Sequence, residues 1–188
     1  VKSGRSRFTL STLPAREFPN VEDSMGTHQF TIKQGQLKRL IERTAFAMAQ
    51  QDVRYYLNGM LWELSAGQLR VVATDGHRLA LCTLAEKINA NGDTQVILPR
   101  KGVLELSRLL LEEDAEIAIV IGSNHIRATT DDFTFTSKLV DGKFPDYQRV
   151  LPRSPDKIVL GSRLDLRQAF TRTAILSNEK YRGVRLKL

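Results

Sequence analysis

One stretch of this chain is written twice. Phe8-Thr9-Leu10-Ser11-Thr12 returns 125 residues later as Phe133-Thr134-Phe135-Thr136-Ser137. Phe18-Pro19-Asn20 follows the first copy, and Phe144-Pro145-Asp146 follows the second. At an offset of 129, Leu37, Ile41 and Arg43-Thr44-Ala45 match Leu166, Phe170 and Arg172-Thr173-Ala174. Asn58-Gly59-Met60-Leu61 matches Arg182-Gly183-Val184-Arg185 once a five-residue gap is allowed. The shared order and near-constant offset mark a tandem repeat. The 188 residues are therefore expected to hold the tail of one unit (1–27), a complete unit (28–157) and the head of another (158–188). Such a chain is expected to be an excerpt of a longer protein, with at least three units of roughly 125–130 residues.

The complete unit carries a second, weaker repeat. Phe30-Thr31-Ile32 alternates like a strand and leads into an amphipathic helix over 36–49, with Leu37, Leu40, Ile41, Thr44, Ala45 and Met48 on one face. Strands are expected at 58–64, 68–74 and 77–83. Ala66-Gly67 marks the first turn, and Asp75-Gly76 reads as a two-residue hairpin. The pattern then recurs. Val96-Ile97-Leu98 reads as a strand and 100–111 as a helix, followed by strands at 116–121, 125–130 and 133–139. The order is βαβββ twice, which predicts an α+β unit with helices on one face and antiparallel sheet on the other. A helix over 163–174 and a strand over 183–188 without neighbours, a sheet edge open to association, are expected beyond it.

Charge follows the helices. The chain has a net charge of +7, yet residues 28–157 carry 17 basic and 16 acidic side chains. Lys38, Arg39 and Arg43 against Glu42 give the first helix +2; Arg100, Lys101 and Arg108 against Glu105 give the second +2. Arg163, Arg167 and Arg172 against Asp165 give the third +2. Basic residues often do no more than solvate an amphipathic helix. Three equivalent helices with one excess suggest instead a common basic face for a polyanion.

Catalytic and cofactor motifs are missing from the sequence: it has no GxxxxGK, GxGxxG, GxSxG or HExxH run. His28, His77 and His125 are scattered, Asp75-Gly76-His77 reads as a turn and Glu112-Glu113-Asp114-Ala115-Glu116 as a solvated loop. Trp62 and Cys82 fall in strand patterns as core residues. The single cysteine excludes an internal disulfide and a Cys-based zinc site, and suggests a reducing compartment such as the cytoplasm. No apolar run reaches the ~18–20 residues that span a bilayer, so no membrane association is expected. Neither an enzyme nor a cofactor is expected on these grounds.

Several longer runs resemble one known family. Thr74-Asp75-Gly76-His77-Arg78-Leu79, Leu98-Pro99-Arg100-Lys101-Gly102 and Lys138-Leu139-Val140-Asp141-Gly142-Lys143-Phe144-Pro145-Asp146-Tyr147 are similar to runs of the DNA polymerase III beta subunits, the bacterial sliding clamps. So are Gln51-Asp52-Val53-Arg54-Tyr55-Tyr56-Leu57-Asn58-Gly59 and Ile175-Leu176-Ser177-Asn178-Glu179-Lys180. The resemblance covers the whole chain. It implies a DNA clamp fold: the tail of a first clamp domain, the whole second and the start of a third. It implies a processivity factor without catalysis of its own, a homodimeric ring in the full-length protein that encircles double-stranded DNA. It places Arg100 and Lys101 on the DNA-facing side and Gln51, Tyr55 and Tyr56 in a loop that touches DNA; Lys38, Arg39 and Arg43 join them through the helix charges. It further implies a pocket for short linear peptides of polymerase subunits, the clamp loader and other DNA-handling proteins, at Leu57, Thr74, Gly76, His77, Arg78, Leu79, Pro145, Arg149 and Val150. The competing reading is a free-standing, sequence-independent nucleic-acid-binding module that encircles nothing.

Overall fold

A computed structural model describes residues 1–18, 26–152, 156–177 and 183–187. The chain divides into two compact units, Val1–Pro145 and Asp146–Leu188. Pro19, Asn20, Asn178, Glu179, Lys180, Arg182 and Leu188, which belong to the repeat and motif runs above, lie outside the described residues.

The first unit opens on a small exposed hairpin, β1 (Lys2–Ser3) and β2 (Ser6–Arg7). Then come β3 (His28–Lys33), α1 (Gln34–Glu42), β4 (Gly59–Ser65), β5 (Gln68–Thr74) and β6 (Leu79–Thr83). The order repeats as β7 (Thr94–Pro99), α2 (Arg100–Leu109), β8 (Glu116–Ile121), β9 (His125–Thr129) and β10 (Thr134–Lys138). The twofold βαβββ order expected from the sequence is therefore present, within an α+β fold.

The sheets are assembled by exchange. One four-stranded sheet runs β6-β5-β4-β7 and the other β10-β9-β8-β3, so each half lends its first strand to the other half's meander. All pairings are antiparallel. The register obeys the same symmetry. Lys33, the last residue of β3, pairs with Glu116, the first of β8; Pro99, the last of β7, pairs with Gly59, the first of β4. The backbone N–H of Gln34 donates to Ala115 O at 2.8 Å, and that of Arg100 donates to Asn58 O at 2.9 Å. Each helix thus starts from an N–H already paired to the opposite half, a place where helical N–H groups otherwise lack partners.

Alternating residues of the strands and one stripe of each helix meet in a single core. Leu37, Leu40 and Ile41 of α1 and Val103 and Leu106 of α2 are buried with Trp62, Leu69, Val71, Leu98, Ile117 and Ile119. Cys82 is half-buried and packs against this core.

Three local expectations are corrected. The helix expected over 36–49 ends at Glu42. The buried Thr44 leaves the α-helical ladder: its backbone N–H donates to Ile41 O at 3.0 Å, while Leu40 O accepts its Oγ1 at 2.8 Å. Ala45–Ala47 then forms a separate 3-10 turn, so α1 itself carries Lys38 and Arg39 against Glu42, and Arg43 caps it. The Asp75-Gly76 hairpin spans four residues rather than two, because Thr74 pairs with Leu79. The Ala66-Gly67 turn does have two residues, with φ of 49° and 75° as that tight hairpin requires. Residues 8–12, the sequence counterpart of β10, and residues 183–187 are outside any strand. β10 is ordered as a strand by pairing with β9.

In the second unit, α3 (Arg163–Ile175) begins at Ser162, whose Oγ accepts the Asp165 N–H at 3.3 Å. Leu166 and Phe170, the counterparts of buried Leu37 and Ile41, are 41% and 44% exposed.

Candidate functional site

The basic residues on and beside α1 and α2 fall into four states. Arg39, Arg43 and Lys101 are exposed. Lys38 is half-buried and its Nζ donates to Leu110 O at 3.0 Å, so its charge sits at the carbonyl end of α2. Arg108 is paired with Glu105 at 2.8 Å. Arg100 is half-buried, and its Nη1 is a buried nitrogen without a hydrogen-bond partner among the described residues. A shallow groove between α1 and the chain after α2 is lined by Gly35, Lys38, Arg39, Glu42, Leu111 and Glu112 among others. In the second unit, Arg163, Arg167 and Arg172 of α3 are exposed.

The loop after α1 is stiffened from within. Gln51 is exposed and adopts φ 56°. Asn58 Oδ1 accepts the Asp52 N–H at 2.9 Å, and Asn58 Nδ2 donates to Asp52 O at 2.8 Å. The Arg54 guanidinium forks onto Asp52, with Nε to Oδ1 at 3.0 Å and Nη2 to Oδ2 at 2.8 Å. That fork, then the Arg54 backbone N–H, holds the Asp52 carboxyl down at about 2. Tyr55–Leu57 forms a 3-10 turn in which the Tyr55 and Tyr56 rings meet edge to face at 5.9 Å. Tyr55 is exposed, Tyr56 half-buried and Leu57 buried.

The turn 75–78 is built by side chains where strand hydrogen bonds stop. Thr74 Oγ1 donates to Arg78 O at 2.6 Å and accepts the Gly76 N–H at 3.1 Å. Asp75 Oδ1 accepts the N–H groups of His77 and Arg78 at 2.9 and 3.0 Å. Arg78 Nε donates to Asp75 Oδ2 at 3.1 Å. Partial burial works against the Asp75 charge, but the His77 and Arg78 N–H groups and the Arg78 guanidinium together outweigh it and hold the carboxyl below its ordinary value. Gly76, His77 and Arg78 are exposed and Leu79 is half-buried.

The structure therefore gathers Thr74, Gly76, His77, Arg78 and Leu79 on one turn, and Arg54 ties that turn to the loop bearing Leu57 by a hydrogen bond to Asp75 O at 3.4 Å. Pro145 is exposed at the end of the first unit. Arg149 and Val150 belong to the second unit, where Arg149 pairs with Asp146 at 2.8 Å and Val150 is exposed.

Sequence reasoning missed Asp52, Arg54 and Phe46 as builders of this surface, and read Asp75 only as a turn residue. Phe46 is 59% exposed, its carbonyl accepts Arg78 Nη2 at 2.7 Å, and its ring lies 5.6 Å from the Arg78 guanidinium carbon. The one available signal was an aromatic residue off the apolar stripe of the expected helix. Among the described residues no group of three or more His, Cys, Asp or Glu side chains is placed to hold a metal ion. Among them also, no helix is long and apolar enough to cross a membrane.

Known proteins match this arrangement along the chain. The family model for the DNA polymerase III beta subunit central domain matches residues 31–146, and that for its C-terminal domain matches residues 148–188. The beta sliding clamp of Pseudomonas aeruginosa is 69% identical over 188 residues, covering 100% of this chain and 51% of that protein. That of Escherichia coli K12 is 59% identical over 186 residues, covering 99% and 50%. A crystal structure of the Pseudomonas aeruginosa clamp bound to griselimycin has 68% identity and a TM-score of 0.89, covering 100% of this chain and 51% of the other. The chain spans about half the length of the curated relatives it matches. With two family models meeting near residue 147 and a relative similar from one end to the other, the chain belongs to the DNA polymerase III beta subunit family, the bacterial sliding clamps.

Proposed function

We propose that this chain is part of a sliding clamp, a ring that encircles duplex DNA and tethers the replicative polymerase and other DNA-handling proteins without catalysing a reaction. The observation that carries this reading is the end-to-end match to a beta sliding clamp at 69% identity. The division into clamp domains is 1–27, 28–157 and 158–188. It is supported by the repeat and by α3, whose Leu166 and Phe170 are exposed where their counterparts on α1 are buried. The full-length protein closes as a homodimer, since closed point-group symmetry completes a ring from repeated units, and it works in the cytoplasm.

Arg39, Arg43, Arg100 and Lys101, with Lys38 beside them, face the phosphates of double-stranded DNA, and Gln51, Tyr55 and Tyr56 touch it from their loop. Contacts of this kind carry no base sequence and permit sliding. Short linear peptides of polymerase subunits and the clamp loader bind at Leu57, Thr74, Gly76, His77, Arg78, Leu79 and Pro145, and Arg149 and Val150 of the second unit share that role. Within the first unit Leu57, Leu79 and Pro145 supply apolar surface and Arg78 and His77 supply donors, a combination suited to one or two anchoring side chains. Griselimycin on the Pseudomonas aeruginosa clamp is consistent with a ligand-binding surface in this family.

The test is topological. Full-length protein loaded on circular duplex DNA is expected to stay bound through gel filtration and to be lost when the circle is cut once. Equal retention on circular and linear DNA would favour the free-standing binding module instead.

A further inference from the structure

The turn 75–78 is held from two sides. On one side Arg78 reaches Phe46 of the Ala45–Ala47 turn, directly after Arg43 and α1. On the other side the Arg54 guanidinium meets the tip with its Nη1–Nη2 edge. Gly76 has φ +88°, and a Cβ there would lie 3.1 Å from both Arg54 Nη1 and Nη2. Glycine thus supplies both the left-handed backbone and the room for the guanidinium. Arg54 belongs to the loop that carries Gln51, Tyr55 and Tyr56, and through Asp52 and Asn58 that loop is one hydrogen-bonded piece.

We propose that Arg54 is a positioning residue that couples engagement of duplex DNA by the loop 51–56 to peptide affinity at the turn 75–78. The proposal rests on the clamp reading above and deepens it. The bonds within the loop are short, 2.8 to 3.0 Å, whereas the bond from Arg54 to Asp75 O is 3.4 Å. The long bond is the weakest joint in the chain of contacts. On this proposal Arg54 exchanges between two arrangements, forked on Asp52 and resting on the tip as seen here, or forked on Asp52 and lifted from it. DNA held against Gln51 and Tyr55 restrains the loop and selects the resting arrangement, which pre-orders the turn for peptide. A ligand shifts such an equilibrium only through its different affinity for the two arrangements, and the effect is reciprocal.

The experiment uses the full-length protein and a fluorescein-labelled hexapeptide with leucine and phenylalanine anchors, titrated with and without saturating short duplex DNA at low salt. The expected result is at least threefold tighter peptide binding with DNA in the native protein. In Arg54→Met the ratio falls to one while the circular dichroism spectrum is unchanged. Arg54→Lys keeps the charge but loses the planar fork, and does not restore the ratio. A ratio of one in the native protein, or a ratio kept in Arg54→Met, overturns the proposal. Leu79→Glu separates this failure from failure of the clamp reading. If it weakens the peptide tenfold or more while no coupling is seen, the pocket stands and only the coupling falls. If it leaves peptide affinity unchanged, the pocket assignment and the coupling fall together.

Discussion

Asp75 is the residue on which the exposed turn depends. Its carboxylate, 24% exposed, accepts two backbone N–H groups and one guanidinium N–H, so three donors converge on one charge. Asp52 is in a similar position against Arg54. Both carboxyls have a folded-state pKa below the ordinary 3.8, Asp52 at about 2. The stability they add is therefore fully present above pH 3.8 and is lost as pH falls through the folded values, which for Asp52 is about 2. Asp75→Ala is expected to lower unfolding stability by about 1.5–3 kcal/mol at neutral pH, the range for hydrogen bonds to a charged group. Urea unfolding at a series of pH values should show that deficit shrinking below the ordinary carboxylate pKa. A deficit that stays constant down to pH 2 would mean that the charge contributes nothing and only the side-chain bulk matters.

Elements exchanged between halves make the first unit one cooperative body. β3 carries Phe30 and Ile32, and β7 carries Ile97 and Leu98, all buried against the other half's meander. Burying a large apolar side chain contributes about 1.5–3 kcal/mol in transfer free energy, and each exchanged strand adds a full ladder of backbone bonds. A protease site placed after the exposed Lys87, between β6 and β7, should therefore give two fragments that co-elute in native gel filtration and separate in urea. Fragments that part in native buffer would contradict the exchange. The sequence showed the strands themselves well, since Phe30-Thr31-Ile32 and Leu69 to Thr74 alternate or stay apolar as strands must. It did not show the exchange, because an alternating strand looks the same whichever sheet it joins. The end of α1 was hidden for a related reason: Thr44, Ala45 and Met48 continue the apolar spacing, and the stop shows only in the backbone, where the Thr44 N–H donates to Ile41 O at 3.0 Å. At the candidate site, Gly76 and its neighbours were legible as turn residues, whereas Arg54 and Phe46 act across 21 and 32 residues of sequence and leave no local pattern.

At the scale of the whole molecule, a charge of +7 is unevenly usable. Counterion release counts the cations that reach phosphate, about 0.9 in the slope of log affinity against log salt for each contact on duplex DNA. Lys101 and Arg43 are exposed, Arg108 is already paired with Glu105, Lys38 is spent on the Leu110 carbonyl, and Arg100 is half-buried. Net charge alone would rank these side chains as equals, but their partners do not. In the full-length protein on duplex DNA, replacing Arg100 and Lys101 together by Ala is expected to flatten the salt plot by up to about 0.9 per lost contact, with most of the change coming from Lys101. Arg108→Ala is expected to flatten it less, because release of Glu105 leaves a carboxylate but removes a cation that was already neutralised. Filter binding or fluorescence anisotropy from low to moderate salt measures both slopes. If Arg108→Ala changes the slope as much as Lys101→Ala does, the ion pair opens on DNA and the ranking by partners fails. If the double replacement leaves the slope unchanged, α2 does not face the phosphates, and the basic excess on the helices only solvates them.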